Sequence, residues 1–400
     1  MRLQISNRCK GISPSPTLAI DSKAKAMKKS GIDVVGFGAG EPDFDTPQYI
    51  RDAAKKALDE GMTRYTPSSG TLELRKAICD KLLRDNNLNY TPDQIVVSNG
   101  AKHSLFNICQ AILDPGDEVL IPGPFWVSYP ELVQIAGGVP VMVPGHEDND
   151  FLVTADDMKA YLTPHTKAII INSPNNPNGC VWTREMLLGI AKFAVENQLY
   201  VISDEIYEKL VYDGQEHVSI ASLGDDIKEQ TLVVNGFSKA YAMTGWRLGY
   251  CAGPTHVMKA ISALQSHATS NPNSIAQYAG LVALSGGDDI IAAMVHEFDM
   301  RRQHIVERIN SIPGLSCRMP KGAFYVMMNI SKMIGASLGD KVIRSSTDFA
   351  ELLLEEAKVA VVPGLGFGSD NHVRLSYATS LSNIDRGLDR IEQFVAGLKK

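Results

Sequence analysis

Three features of the chain predict an α/β fold built on a mostly parallel central sheet flanked by helices. Apolar runs such as Glu118–Ile121, Lys167–Ile171, Tyr200–Ser203 and Thr231–Val234 alternate with helical patterns. Lys167-Ala-Ile-Ile-Ile171 shows no polar alternation, as expected of a strand buried on both faces. Polar loops follow the strands ending at Ser98, Ile171, Ser203 and Val234, and a parallel sheet gathers its ligands at such strand ends. With 400 residues the chain exceeds one small core. Beyond the Asn273–Leu284 helix the pattern changes to a long helical stretch and then α+β, a second and smaller domain.

The elements follow in order. Ser13-Pro-Ser-Pro16 reads as extended, and a helix runs from Thr17 to Lys29. Ile32–Gly40 is a short strand ending in glycines. Glu41 stands where the third glycine of a dinucleotide fingerprint belongs and Pro42 follows it, so that motif fails. A glycine turn offering N–H groups to a carboxylate is the better reading of this stretch. Helix Pro47–Gly61 and the helical pattern Leu72–Leu83 precede strand Gln94–Ser98, the turn Asn99-Gly-Ala101 and helix Lys102–Leu113. A strand, glycine turn and helix in that order put free N–H groups where an anion can sit. Helix Trp126–Ala136, strand Val139–Val143, helix Arg184–Glu196, helix Asp288–Ile312, strand Phe324–Met328, helix Asp348–Ala357, strands Val359–Val362 and Val373–Ser376, and helix Ile384–Leu398 complete the pattern. Gly364–Gly368 reads as a turn.

Composition narrows the function. A net charge of −6 leaves no excess of cations for a nucleic-acid or membrane-surface role. The six cysteines are dispersed without a C-x-x-C pair and read as buried thiols of a reducing compartment, with no metal site indicated. Neither a signal peptide nor a membrane-spanning run is apparent, so a cytoplasmic location is expected.

Asn235–Tyr250 carries the chemistry. Lys239 lies at a strand exit, where apolar surroundings favour the neutral, nucleophilic amine. Ser238 and Arg247 suit a phosphate. A phosphorylated aldehyde held as a Schiff base answers both features, and pyridoxal phosphate is such a molecule.

Several further motifs resemble one family, the class I (fold-type I) pyridoxal-phosphate aminotransferases, and within it the bacterial aspartate and prephenate branch. They are Ala39-Gly-Glu-Pro-Asp-Phe-Asp-Thr-Pro47, Tyr65-Thr-Pro, Ser173-Pro-Asn-Asn-Pro-Asn-Gly179, Asp204-Glu-Ile-Tyr207, Ser238-Lys239 with Met243-Thr-Gly-Trp-Arg247, and His372-Val-Arg-Leu-Ser-Tyr377. The resemblance spans nearly the whole chain. It implies a large cofactor-binding domain over 46–285 and a small domain made of 1–45 and 286–400.

It also implies roles. Lys239 would hold the cofactor and then move the substrate proton, Asp204 would pair with the ring nitrogen, and Tyr207 and Asn176 would meet the phenolic oxygen. Trp126 would stack on the ring. Phosphate would fall to the N–H groups of Ala101 and Lys102, to Ser238 and Arg247, and to Tyr65 of a neighbouring subunit, which makes a homodimer with shared sites. Arg374 would clamp the substrate α-carboxylate opposite the Gly40 N–H. Lys102, assisted by Thr17, would meet a distal carboxylate. Amino-acid and 2-oxo-acid substrates follow, with aspartate and 2-oxoglutarate first and a prephenate or aromatic aminotransferase as the variant. A C–S lyase is a further alternative, against which Lys102 and the Met243–Arg247 motif speak. Asn178, where a threonine is common, is the departure that bears on loop rigidity.

Overall fold

The computed structural model describes residues 4–12, 16–287 and 289–399, without the side chains of 7, 8, 16–19 and 21. A seven-stranded sheet forms the larger body. Its spatial order is Ile95–Ser98, Gly249–Ala252, Thr231–Gly236, Tyr200–Asp204, Thr166–Asn172, Glu118–Pro122 and Val139–Val143. Only Gly249–Ala252 runs against its neighbours; the other pairings are parallel. Thr231–Gly236 is buried at every position, which accounts for the unbroken apolar run Leu232–Val234 within it.

Register decides where the loops emerge. Asn172 lies beside Asp204, Asp204 beside Val234, and Gly249 beside both Gly236 and Ser98. The segments beginning at Asn99, Ser173, Glu205 and Phe237 therefore leave along one edge, as the polar strand ends predict.

The chain from 316 onward builds a four-stranded antiparallel sheet in the order Val362–Pro363, His372–Ser376, Tyr325–Asn329, Ser316–Cys317. Val35–Gly36 pairs in parallel with Val359–Ala360, tying the N-terminal segment to this part. One apolar cluster includes Phe298, Phe324, Tyr325 and Leu375 together with Ile206, Tyr207 and Leu210, so the segment after Asp204 is packed into the smaller sheet's core.

Several boundaries differ from expectation. Pro16 is the first residue of helix Pro16–Lys29 rather than part of an extended run, a position where its missing N–H costs nothing; 13–15 lie outside the described residues. The helix expected from Trp126 starts at Ser128; the strand Gly249–Ala252 begins two residues after Arg247, whose φ is +52. Helix Thr255–Ala268 has no counterpart in the sequence reading. Cys9 is exposed, unlike the buried thiols expected.

Candidate active site

Lys239 follows the buried strand Thr231–Gly236 and points into a cavity of about 560 Å³. Its ammonium donates to the Gly40 carbonyl and lies 5.6 Å from the ring centres of Tyr207 and Phe324. Burial lowers its pKa to about 8; the Glu41 carboxylate opposes that shift, and the Arg374 and Arg247 charges reinforce it.

Asp204 ends the neighbouring strand and is 4% exposed. The Tyr129 hydroxyl donates to its Oδ2 at 2.7 Å and the Ile206 N–H to its Oδ1 at 3.3 Å. Burial raises the carboxyl pKa to about 6 against the pull of those donors. Asn172 joins the two strand ends: its Nδ2 donates to the Asp204 carbonyl at 2.8 Å and its Oδ1 accepts from the Asn176 N–H at 2.8 Å.

Arg374 enters from the small sheet. It is 2% exposed, donates to Asn176 Oδ1 at 2.9 Å and the Gly38 carbonyl at 3.1 Å, and stacks 4.4 Å from the Tyr325 ring centre. Its Nε has no partner, and it pairs with no carboxylate among the described residues. Burial lowers its pKa. Tyr325 and Tyr207 share a hydroxyl hydrogen bond of 2.9 Å.

Helix Ala101–Ile112 starts at Gly100 without a side-chain cap; the N–H groups of His103 and Ser104 donate to the Gly100 carbonyl, and those of Ala101 and Lys102 are the ones placed to meet an anion. Gly100 has φ +91, and a Cβ there would lie 2.4 Å from the Arg247 guanidinium. Arg247 donates to the carbonyls of Thr244 at 2.9 Å and Asn99 at 3.5 Å. Ser238 is buried nearby. The Lys102 ammonium sits 4.5 Å above the Trp126 ring centre, and burial followed by Arg247 lowers its pKa.

Gly40, Ala101, Lys102, Trp126, Asn176, Asp204, Tyr207, Ser238, Lys239, Arg247 and Arg374 thus all line one cavity. Gly40 does so with its carbonyl held by Lys239. Tyr65 does not join them and is 90% exposed. The Thr17 side chain lies outside the described residues. Sequence reasoning missed Tyr129, Asn172 and Tyr325. Tyr129 stands three residues after Trp126, a helical spacing that carried a signal. Asn172 and Tyr325 reach the cavity through strand register and sheet pairing, which leave no local trace. In the 173–180 loop, Asn175 Oδ1 accepts from the Asn178 N–H at 3.4 Å and Asn178 Oδ1 from the Cys180 N–H at 2.8 Å. Both amides brace the loop, so Asn178 supports it from within.

A mixed sheet with an amine, a buried carboxylate and an uncapped helix end at one edge defines an α/β enzyme of the fold-type I class. Residues 32–391 match the family model described as aminotransferase class I and II, and the chain belongs to that family. It is 50% identical over 98% of its length to an aspartate aminotransferase of Bacillus subtilis (strain 168), covering 99% of that protein. It is 45% identical over 98% of its length to an aspartate/prephenate aminotransferase of Cereibacter sphaeroides, covering 99% of that protein. The solved aspartate aminotransferase of Rhizobium meliloti superimposes with a TM-score of 0.96 at 43% identity, with all of both chains covered. The chain is an aminotransferase.

Proposed function

We propose that this aminotransferase moves an amino group between aspartate and 2-oxoglutarate in ping-pong order, with pyridoxal 5′-phosphate as cofactor, as a cytoplasmic homodimer. The observation that carries the reading is a pair of cavity cations, Arg374 and Lys102, that have no carboxylate partner among the described residues. A buried guanidinium without a counter-charge favours an anionic ligand, and its planar fork suits an α-carboxylate bidentately. A second cation in the same cavity favours a second carboxylate, with Thr17 assisting.

The donor set fits the cofactor. The uncapped N–H groups of Ala101 and Lys102, with Ser238 and Arg247, suit a phosphate. Asp204 suits a protonated ring nitrogen, Trp126 the ring face, and Tyr207 with the Asn176 amide N–H₂ a phenolic oxygen. When bound, the cofactor supplies an aldehyde and an electron-accepting ring. Lys239 is the base and acid of the site, and a pKa near 8 leaves it able to give and take a proton close to neutrality. Tyr65, exposed in one chain, would complete the phosphate site of a second copy. The free cysteines support a reducing compartment, and no single described helix is long and apolar enough to cross a membrane. A division into a large body (46–285) and a small one (1–45 with 286–400) belongs to the same proposal.

Prephenate is the second reading, because it also carries two carboxylates and a relative's name includes it. One experiment separates the cases: a donor panel of aspartate, glutamate, arogenate, tyrosine, phenylalanine and alanine against 2-oxoglutarate, with wild type and Lys102→Ala. Acidic donors should lead in wild type, and the variant should lose that preference by about tenfold or more, the worth of one charge-assisted contact. A variant that keeps the preference overturns the role of Lys102. Arogenate turnover above that of aspartate would select the second reading, and pyruvate with ammonia from cystathionine would select a C–S lyase.

A further inference from the structure

Tyr129 is assigned to no function by the motifs or the family match, yet it touches two of the groups on which the cofactor reading depends. It is 2% exposed and sits in the first turn of helix Ser128–Ile135. Its hydroxyl holds Asp204 Oδ2 at 2.7 Å, and its ring lies edge-on to Trp126, with centroids 5.4 Å apart and planes at 84°. The three-residue spacing from Trp126 puts both aromatic rings at the same end of the cavity.

We infer that Tyr129 is a positioning residue that orients the Asp204 carboxylate toward the ring nitrogen of the cofactor and braces Trp126 beside the ring. The inference rests on the cofactor reading of the preceding subsection. Two donors approach the two Asp204 oxygens, Tyr129 at Oδ2 and the Ile206 N–H at Oδ1, and together they stop the carboxylate from turning about its own bond. The lone pairs they leave are those available to the cavity. The phenol is suited to this task because burial and the Asp204 charge keep it protonated, so it always donates.

The contact also sets charge. The charged groups around Asp204 are Glu205, which disfavours its ionisation, and Lys239, which favours it; Tyr129 and the Ile206 N–H are the hydrogen bonds that favour it. Without the hydroxyl, burial is opposed only by the longer backbone contact and by Lys239. Asp204 then spends more of the neutral range protonated and cannot hold a protonated ring nitrogen. A hydroxyl present only to satisfy itself in the core would affect stability and leave this titration where it was.

Tyr129→Phe removes the hydroxyl and keeps the ring against Trp126. The first measurement uses cofactor-free protein: carboxyl ¹³C NMR of Asp204, its signal identified by Asp204→Asn. The Asp204 midpoint should rise by about one unit or more in Tyr129→Phe, since one unit corresponds to a tenfold change in the ionisation constant. The second measures pyridoxal 5′-phosphate dissociation from wild type and variant. The variant should bind about tenfold more weakly, with kcat reduced and the KM for aspartate little changed, because Arg374 and Lys102 are untouched. An unmoved Asp204 titration with unchanged cofactor affinity overturns the inference. Should wild type bind no pyridoxal 5′-phosphate, the cofactor reading fails separately, and the titration in cofactor-free protein still tests the contact. If Tyr129→Phe does not fold, the Tyr129 ring-carbon (Cζ) shift in wild type and Asp204→Asn answers the same question; equal shifts in the two proteins overturn it.

Discussion

A guanidinium sealed from water is costly unless something answers its charge, and among the described residues Arg374 has Asn176 and the Gly38 carbonyl as its hydrogen-bond partners. Neither is charged, which is why the proposed function gives this side chain a carboxylate ligand. Arg374→Leu should lower kcat/KM for aspartate and glutamate by about 10²-fold or more, the range measured when one member of a buried charged pair is removed. Steady-state kinetics with both donors check this, and unchanged turnover would take Arg374 out of the site. Lys239 is the other residue whose proposed role can be tested directly. Borohydride reduction followed by peptide mapping should find a pyridoxyl label on Lys239, and a label on another lysine would sink the cofactor assignment.

At the scale of elements, the turn into helix Ala101–Ile112 depends on one residue. Gly100 has φ +91 and ψ 159, a conformation nearly confined to glycine, and the Arg247 guanidinium occupies the space of a Cβ. Gly100→Ala should destabilise the fold by about 1–3 kcal/mol and displace Arg247, which denaturant unfolding and phosphate binding to cofactor-free protein would record. The segment after Asp204 divides its side chains between two surroundings. Asp204 and Tyr207 line the cavity. Glu208 instead meets the Lys81 ammonium and the Asn86 amide, while Glu205 meets His217 and Ser219. Glu205, Glu208 and His217 hold ligand atoms within 4.8 Å of one another, but Lys81 already supplies a cation to Glu208. Burial pushes the Glu208 carboxyl up, yet Lys81, His217 and Asn86 hold it below its usual value. A lowered folded pKa contributes stability that is full above the unfolded carboxylate range and is lost as pH falls through the folded value. Glu208→Gln should therefore cost about 3 kcal/mol near pH 7, and the gap to wild type should close as the solution is made acid below pH 4. A gap independent of pH would count against the ion pair.

Across the whole molecule, the cavity is walled by both sheets, and several contacts join them away from it. Glu147 accepts from the Asn329 amide at about 2.5 Å and lies 3.2 Å from the His372 ring, at the start of the strand that carries Arg374. Arg302, buried in helix Asp289–Ser311, holds Asp213 at 2.6 Å. Tyr65 remains outside this arrangement, 90% exposed, which is unusual for a large aromatic side chain; the homodimer proposed above would account for it. Sedimentation should find a dimer at micromolar concentration. Tyr65→Phe should remain dimeric and release the cofactor about tenfold faster on dialysis, the loss of one hydrogen bond to a charged group; unchanged retention would leave Tyr65 without a place in the site.

Much of this protein was legible from local patterns. Apolar runs marked strands buried on both faces, and polar residues at their ends marked the cavity edge, because a run without polar alternation and a strand terminus are local facts. Lys239, Ser238 and Arg247 could be singled out from their own stretch before any packing was known, whereas Asp204 was marked by the family resemblance. Helix Thr255–Ala268 was missed and the helix after Trp126 began two residues late, since packing against the sheet decides such boundaries as much as propensity does. Tyr325, Asn172 and the Tyr129–Asp204 contact needed more. They depend on strand register, on the pairing of Tyr325–Asn329 with His372–Ser376, and on a helix start meeting a strand end 75 residues away in sequence. By itself the sequence determined which chemical groups the protein possesses and which strand ends present them. Only the tertiary structure decided which groups face one another, and therefore which charges go unanswered, because distance and desolvation are properties of packing rather than of order along the chain.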